Sequence, residues 1–247
     1  MSVKTTLNYS PNFYQKKRGE NKIKFIILHY TGMKTESNAV KKLTDSKSKV
    51  SSHYLIKKSG EIVTMVPDLY IAWHAGESFW KKYTNLNKNS IGIEITNSGH
   101  DINYKNFTKI QIKSLIKLCK FLIKKYKIKP NNVLGHSDIA PDRKKDPGEK
   151  FPWNLLYKNK VSIWHKLNNK TLIKNRNINI NAKDKELFIN NLFTIGYSKQ
   201  ILKKLSRNKK KYFNIITLAF QRRFRQELVN GKPDKECLII SKNLVNK

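Results

Sequence analysis

The stretch Lys24-Phe25-Ile26-Ile27-Leu28-His29-Tyr30-Thr31-Gly32 constrains the fold most, because a continuous apolar run that stops at a glycine turn is the pattern of a buried central strand. His29 closes that run, where a side chain is well placed to be a metal ligand. A second run, Ser90-Ile91-Gly92-Ile93-Glu94-Ile95-Thr96-Asn97, alternates with period two. Ile91, Ile93 and Ile95 therefore share one face of a strand, and Gly92, Glu94 and Thr96 the other. A glutamate flanked by isoleucines is costly unless it has a partner or a task.

A third segment concentrates reactive side chains: Gly135-His136-Ser137-Asp138-Ile139-Ala140-Pro141-Asp142-Arg143-Lys144-Lys145-Asp146-Pro147-Gly148. Pro147 biases Asp146 toward an extended backbone, and alternate side chains of an extended stretch share a side. Lys144 and Asp146 are thus expected to point together, with Lys145 pointing away. His136 follows the apolar Val133-Leu134 and leaves a strand end. On spacing alone Asp138 or Asp142 fits a carboxylate ligand nearly as well as Asp146, and the bland alternative is a salt-bridged surface loop with a stray histidine. Two histidines and one carboxylate with an open fourth position form a standard catalytic zinc set, and His29, His136 and Asp146 supply it. Zn2+ in such a set brings the pKa of a water from ~15.7 to about 7. Glu94 is then the general base that also delivers a proton to a leaving amine, and Lys144 stabilises the oxyanion of a tetrahedral intermediate. These are the parts of an amide hydrolase. An H-E-x-x-H helix, the mark of a different metalloprotease class, does not occur.

These residues resemble the zinc-dependent N-acetylmuramoyl-L-alanine amidases of amidase family 2, the AmpD/AmiD type, related to peptidoglycan recognition proteins. The likeness runs in order through most of the first 165 residues: Ser10-Pro11-Asn12-Phe13, Ile27-Leu28-His29-Tyr30-Thr31, Val50-Ser51-Ser52-His53-Tyr54-Leu55-Ile56 and Ala72-Trp73-His74-Ala75-Gly76. It continues through Ser78-Phe79-Trp80, Leu86-Asn87, the Glu94 strand, the His136 loop and Phe151-Pro152-Trp153. The resemblance implies zinc at His29, His136 and Asp146, catalytic roles for Glu94 and Lys144, and an α/β fold with a mixed central sheet flanked by helices. It implies cleavage of the amide between N-acetylmuramic acid, in its ordinary or 1,6-anhydro form, and the L-alanine that begins the stem peptide, with peptidoglycan or muropeptides as partner. It places His53 near the cleft and His74 in the substrate pocket, although His53 alternates as a satisfied core histidine also would. Trp73 and Trp80 either stack on a sugar or hold the loop between them. The Trp80 segment and Leu86-Asn87 are more like the AmiD type.

Length and charge set the outer limits. A chain of 247 residues fits one domain of ~150 residues plus a smaller one. Against 17 acidic residues stand 51 basic ones, a net charge of +34, which raises the question of nucleic acid. The lysines are spread along the whole chain, whereas an electrostatic footprint requires clustering on one face. No specific nucleic-acid partner is expected, and attraction to an anionic cell wall is compatible with the charge. No run of 18 apolar residues is present, so no transmembrane segment is expected, and Met1 to Leu7 lacks the apolar stretch of a secretory signal. The substrate class therefore points to the cell envelope (periplasm), the missing signal to cytoplasmic muropeptide recycling. A monomer is expected. Cys119 falls on an apolar helical stripe with Ile112, Leu115, Ile116, Leu122 and Ile123, and neither a disulfide framework nor a thiolate site is indicated.

The domain reading is a catalytic domain over 1–170, an asparagine-rich linker over 171–184 and a helical domain over 185–247. The last resembles the three-helix peptidoglycan-binding module that follows amidases of this type, through Phe193-Thr194-Ile195-Gly196-Tyr197, Ala219-Phe220-Gln221-Arg222-Arg223-Phe224-Arg225 and Gly231-Lys232-Pro233-Asp234. It departs from that module after Asp234, where Lys235-Glu236-Cys237 replaces the usual threonine. Arg222, Arg223 and Arg225 are read first as a solvated face, then as a wall contact, last as a nucleic-acid-binding helix. The rival from another class is a non-catalytic peptidoglycan-recognition protein, against which the retained ligands, Glu94 and Lys144 argue.

Overall fold

The apolar run becomes an interior strand of a six-stranded mixed sheet. In the computed structural model, which describes residues 3–246, the strands are β1 (Thr6–Leu7), β2 (Phe13–Tyr14), β3 (Phe25–Tyr30), β4 (Tyr54–Ile56), β5 (Ile62–Thr64), β6 (Ile71–Ala72), β7 (Phe79–Trp80), β8 (Tyr83–Thr84), β9 (Ser90–Ile95) and β10 (Val133–Gly135). The main sheet has the order β1-β5-β4-β9-β3-β10, while β2 pairs with β6 and β7 with β8. Within it only β4 and β5 run antiparallel. The helices are α1 (Glu36–Thr44), α2 (Lys109–Tyr126), α3 (His136–Ile139), α4 (Trp153–Lys158), α5 (Asn169–Asn175), α6 (Ala182–Ile195), α7 (Gln200–Lys204), α8 (Lys209–Phe224) and α9 (Lys235–Val245). The expected α/β architecture with a mixed sheet is thus the observed one.

Alternation along the strands divides the core between two faces. Ile26, Leu28, Ile91, Ile93 and Ile95 pack on the stripe of α2 that contains Ile112, Leu115, Cys119 and Leu122. Thr108 caps that helix in a reciprocal capping box with Gln111, satisfying two otherwise unpaired donors. Both cysteines are buried and free. On the opposite face Phe25, Ile27 and Leu134 join one apolar cluster with Phe188, Leu192, Phe220 and Phe224 of the C-terminal helices.

That shared cluster corrects two expectations. The short helix α5, capped by Asn168, runs into the stretch read as a linker, where Leu172 and Ile180 are buried. The backbone there is also tied to α9, with Asn177 N donating to Asp234 Oδ2 and Lys235 N to Ile178 O. An asparagine-rich background hides so short an apolar signal. The second correction concerns α8 and its end: Arg223 and Arg225 are 2% and 1% exposed, so these two do not form a solvated face. Their charges face acidic partners inside the fold, Asp138 and Asp234.

Candidate active site

Strand register assembles the site. β3 and β9 are parallel with His29 opposite Glu94, and Leu28 lies opposite Gly135 on β10, so His136 leaves β10 level with His29. Opposed residues of parallel strands project from the same face, and three strand ends deliver His29, Glu94 and His136 in a row. The loop after α3 returns Asp146 to them, pinned by Ser137 N donating to Asp146 O at 2.8 Å.

The three expected ligands converge. His29 Nδ1 lies 2.9 Å from His136 Nδ1, and Asp146 Oδ2 lies 3.0 and 3.1 Å from the two nitrogens. Their ligand atoms all fall within 4.8 Å of one another, and all three residues are buried. The outer nitrogens are committed elsewhere: His136 Nε2–H donates to Ala75 O at 3.1 Å and His29 Nε2–H to His74 Nδ1 at 3.1 Å. Those bonds leave both Nδ1 lone pairs aimed at a point shared with a carboxylate, which fits a divalent cation and the way outer partners fix ligand tautomers. This cluster can therefore bind a metal ion. Burial, then the neighbouring His136, depresses His29 to about 4, so it is neutral at pH 7 as ligation requires. Burial opposes ionisation of Asp146, yet His136 and His29 hold its carboxyl well below the usual range.

Glu94 and Lys144 share the cleft, of about 350 Å³, with the ligand cluster. Glu94 Oε2 is buried without a hydrogen-bond partner, and burial, then the charge of Asp146, pushes its carboxyl well above the usual range. An unpartnered, perturbed carboxyl in a cleft marks a functional position. Lys145 also lines the cleft and pairs with Asp101 at 3.6 Å, so it does not point away as alternation predicts. The loop turns between Pro141 and Arg143 rather than running extended.

His74 borders the cleft, but both ring nitrogens are engaged. Its Nδ1 accepts from His29, and its Nε2–H donates to Ser90 Oγ at 3.2 Å, which in turn donates to Leu86 O at 2.6 Å. Its ring thus buttresses the outer nitrogen of His29. The ring lies flat against Gly92, where any Cβ would collide with it. Gly92→Ala is expected to cost about 1–3 kcal/mol by overpacking and to loosen His29. Thermal unfolding together with metal titration checks this.

Other sequence expectations are redistributed. His53 is fully buried and is a core histidine, not a substrate contact: its Nδ1 accepts from Gly92 N at 2.9 Å and its Nε2–H donates to Tyr70 O at 3.1 Å. Trp80 is 1% exposed and packs edge-to-face on Tyr197 of the C-terminal region at 5.1 Å, so it cannot stack on a sugar. Trp73 is half-buried against Tyr14 and lies outside the cleft lining. Its backbone bonds to Ser51, which does line the cleft. Asp138 and Asp142, which fit nearly as well as Asp146 on spacing, are taken by Arg223 and Lys204. Sequence reasoning assigned no role to Asn87, whose Oδ1 accepts from the backbone N of His74 and Ala75. It also missed Arg143, which lines the cleft and donates to the carbonyls of Ala75 and Glu77. The Leu86-Asn87 motif and the loop position of Arg143 were the available signals.

A mixed sheet that brings a His-His-Asp cluster able to hold a metal ion and an unpartnered carboxyl into one cleft is an arrangement suited to a hydrolase. A family model described as N-acetylmuramoyl-L-alanine amidase matches residues 19–149. The chain is 35% identical over 238 residues to the N-acetylmuramoyl-L-alanine amidase AmiD of Escherichia coli, covering 92% of this chain and 83% of that protein. It therefore belongs to the N-acetylmuramoyl-L-alanine amidase family. Two solved structures are similar. AmiD from E. coli, in complex with anhydro-N-acetylmuramic acid-L-Ala-D-γ-Glu-L-Lys, superposes with a TM-score of 0.78 at 32% identity over 94% of this chain and 92% of that one. AmpDH3 from Pseudomonas aeruginosa gives 0.78 at 30% identity over 98% of both chains.

Proposed function

We infer that this chain hydrolyses the amide bond between N-acetylmuramic acid, including its 1,6-anhydro form, and the L-alanine of the stem peptide, and that the metal it uses is zinc. The observation that carries the reading is the convergence of His29, His136 and Asp146 within 4.8 Å beside the unpartnered Glu94 Oε2. The anhydromuramyl peptide bound to AmiD supports the substrate class. His29, His136 and Asp146 would hold the zinc, which when bound would supply Lewis acidity and make hydroxide accessible near neutral pH.

The chain's own residues do the rest. Glu94 takes a proton from the attacking water and passes it to the leaving amine nitrogen, the task of a positioned general acid–base. The Lys144 ammonium stabilises the oxyanion that forms on the attacked carbonyl. His74 keeps His29 in its ligating tautomer and orientation. Lys42, Arg143 and Lys145 line the same cleft and draw in the carboxylates of the peptide.

Among the described residues no helix is long and apolar enough to cross a membrane. We place the reaction in the cell envelope on the chemistry of the substrate, and cleavage confined to soluble muropeptides, with intact sacculi untouched, would move it to the recycling of released fragments. The test is mass spectrometry of muropeptides incubated with the protein. Free stem peptide beginning at L-alanine is expected, abolished by chelation and restored by zinc. Intact muropeptides under every condition would favour a recognition protein that binds without cutting.

A further inference from the structure

We propose that the C-terminal helices serve the reaction as a positioning element, with Arg223 and Tyr197 clamping Asp138 and thereby fixing His136. Asp138 sits two residues beyond His136 in the four-residue helix α3, too short to hold its own geometry. Its carboxylate is gripped from three sides. Arg223 donates to Oδ2 at 2.6 Å, Tyr197 OH to Oδ1 at 2.9 Å, and Gly135 N to Oδ2 at 2.8 Å. The other arm of the Arg223 guanidinium donates to Val133 O at 2.9 Å, so one side chain from α8 holds both the strand that leads into His136 and the turn that follows it. That guanidinium also lies 4.5 Å over the Trp153 ring. A second strut reaches the same region. Lys204 Nζ bridges Glu77 at 2.6 Å and Asp142 at 2.7 Å, tying α7 to the ligand loop and to the segment whose Ala75 carbonyl accepts from His136 Nε2.

The pair is almost wholly buried, with side-chain exposures of 2% for Arg223 and 1% for Asp138. A buried ion pair is a weak source of net stability but a strong geometric constraint. The residues that carry the likeness to a peptidoglycan-binding module are the ones used here: Tyr197 and Arg223 grip Asp138, Gly196 accommodates Trp80, and Phe220 and Phe224 fill the shared apolar cluster. That face is turned toward the catalytic sheet and is not available to glycan. Asp138, Arg223 and Tyr197 act through His136 and do not touch substrate.

This inference rests on the reading that His29, His136 and Asp146 hold zinc, so the experiment measures zinc directly. Full-length Tyr197→Phe, Arg223→Lys and the neutral pair Asp138→Asn/Arg223→Gln are compared with wild type by competition against a chelator of known affinity, below the melting temperature of each, and by kcat and KM on muropeptides. Gln226→Ala is the control, since it breaks a 2.7 Å bond to Phe151 O between the same two parts of the chain but away from Asp138. The clamp variants are expected to bind zinc about 10-fold more weakly, at the lower end of what outer partners of ligands contribute, with kcat falling and KM little changed. The control keeps wild-type zinc affinity. Clamp variants that melt earlier yet hold zinc like wild type would reduce the contact to ordinary packing and overturn the proposal. Wild type that binds no zinc overturns the metal reading and this one with it. If Arg223→Lys does not fold, Tyr197→Phe, which removes one hydroxyl, decides alone.

Discussion

Glu94→Ala keeps its metal and loses turnover by about 10²–10⁴-fold, the contribution expected of a positioned general acid–base. The substitution leaves β9 intact, since Ile93 and Ile95 on the other face supply its packing, and it removes no ligand of the cluster. It also relieves a cost. Glu94 Oε2 is buried without a partner, and such a group is typically destabilising by about 1–3 kcal/mol, so the melting temperature of the variant holds or rises. A more stable, metal-loaded and inactive protein is the signature of a group kept for chemistry. Glu94→Gln, which preserves shape but cannot take the proton, shows a similar loss. The measurements are metal stoichiometry, thermal unfolding and the rate of stem-peptide release. A rate within a few-fold of wild type would remove Glu94 from the mechanism.

Asp146→Ala acts on the metal itself. Asp146 is the only carboxylate of the cluster, and without it the two buried Nδ1 atoms at 2.9 Å lose the anion that makes a dication welcome between them. Metal content at equal free zinc falls below one per chain, and activity falls by more than about 100-fold, the upper limit for loss of an outer partner of a ligand. Asp138→Asn separates the two carboxylates. Asp138 touches Arg223, Tyr197 and Gly135 but not the ligand atoms, so this variant still fills with zinc at saturating metal and differs in affinity alone. Metal analysis after dialysis against graded zinc distinguishes them. Full metal content in Asp146→Ala with loss in Asp138→Asn would mean that the wrong carboxylate had been assigned.

How much was legible in the sequence depends on how local the determining force was. The apolar run into His29 and the alternation around Glu94 report burial of one or both faces of a strand, which is decided within a few residues. Those two positions, and His136 behind Val133-Leu134, are therefore legible in the order of the residues. The choice of Asp146 over Asp138 and Asp142 was open on spacing, because a Pro- and Gly-punctuated loop can present any of its carboxylates. Arg223 and Lys204, far along the chain, took the other two. His53 and His74 both sit beside strands with polar neighbours, and only the packing of Gly92 against one ring, with its N–H bonded to the other, shows which is core and which borders the cleft. Trp80 became a core residue because Tyr197 covers it, and Arg223 and Arg225 lost their solvent because Asp138 and Asp234 lie opposite.

The main strands, their buried faces and the kinds of group at their ends follow from the order of the residues, since side-chain periodicity is a property of neighbours. Which partner covers each face, and so which carboxylate joins the two histidines, which aromatic is core and where the C-terminal helices dock, came from the packing of distant segments. Those choices rest on contacts between residues tens to more than a hundred positions apart, such as the 117 that separate His29 from Asp146, and no local pattern records them.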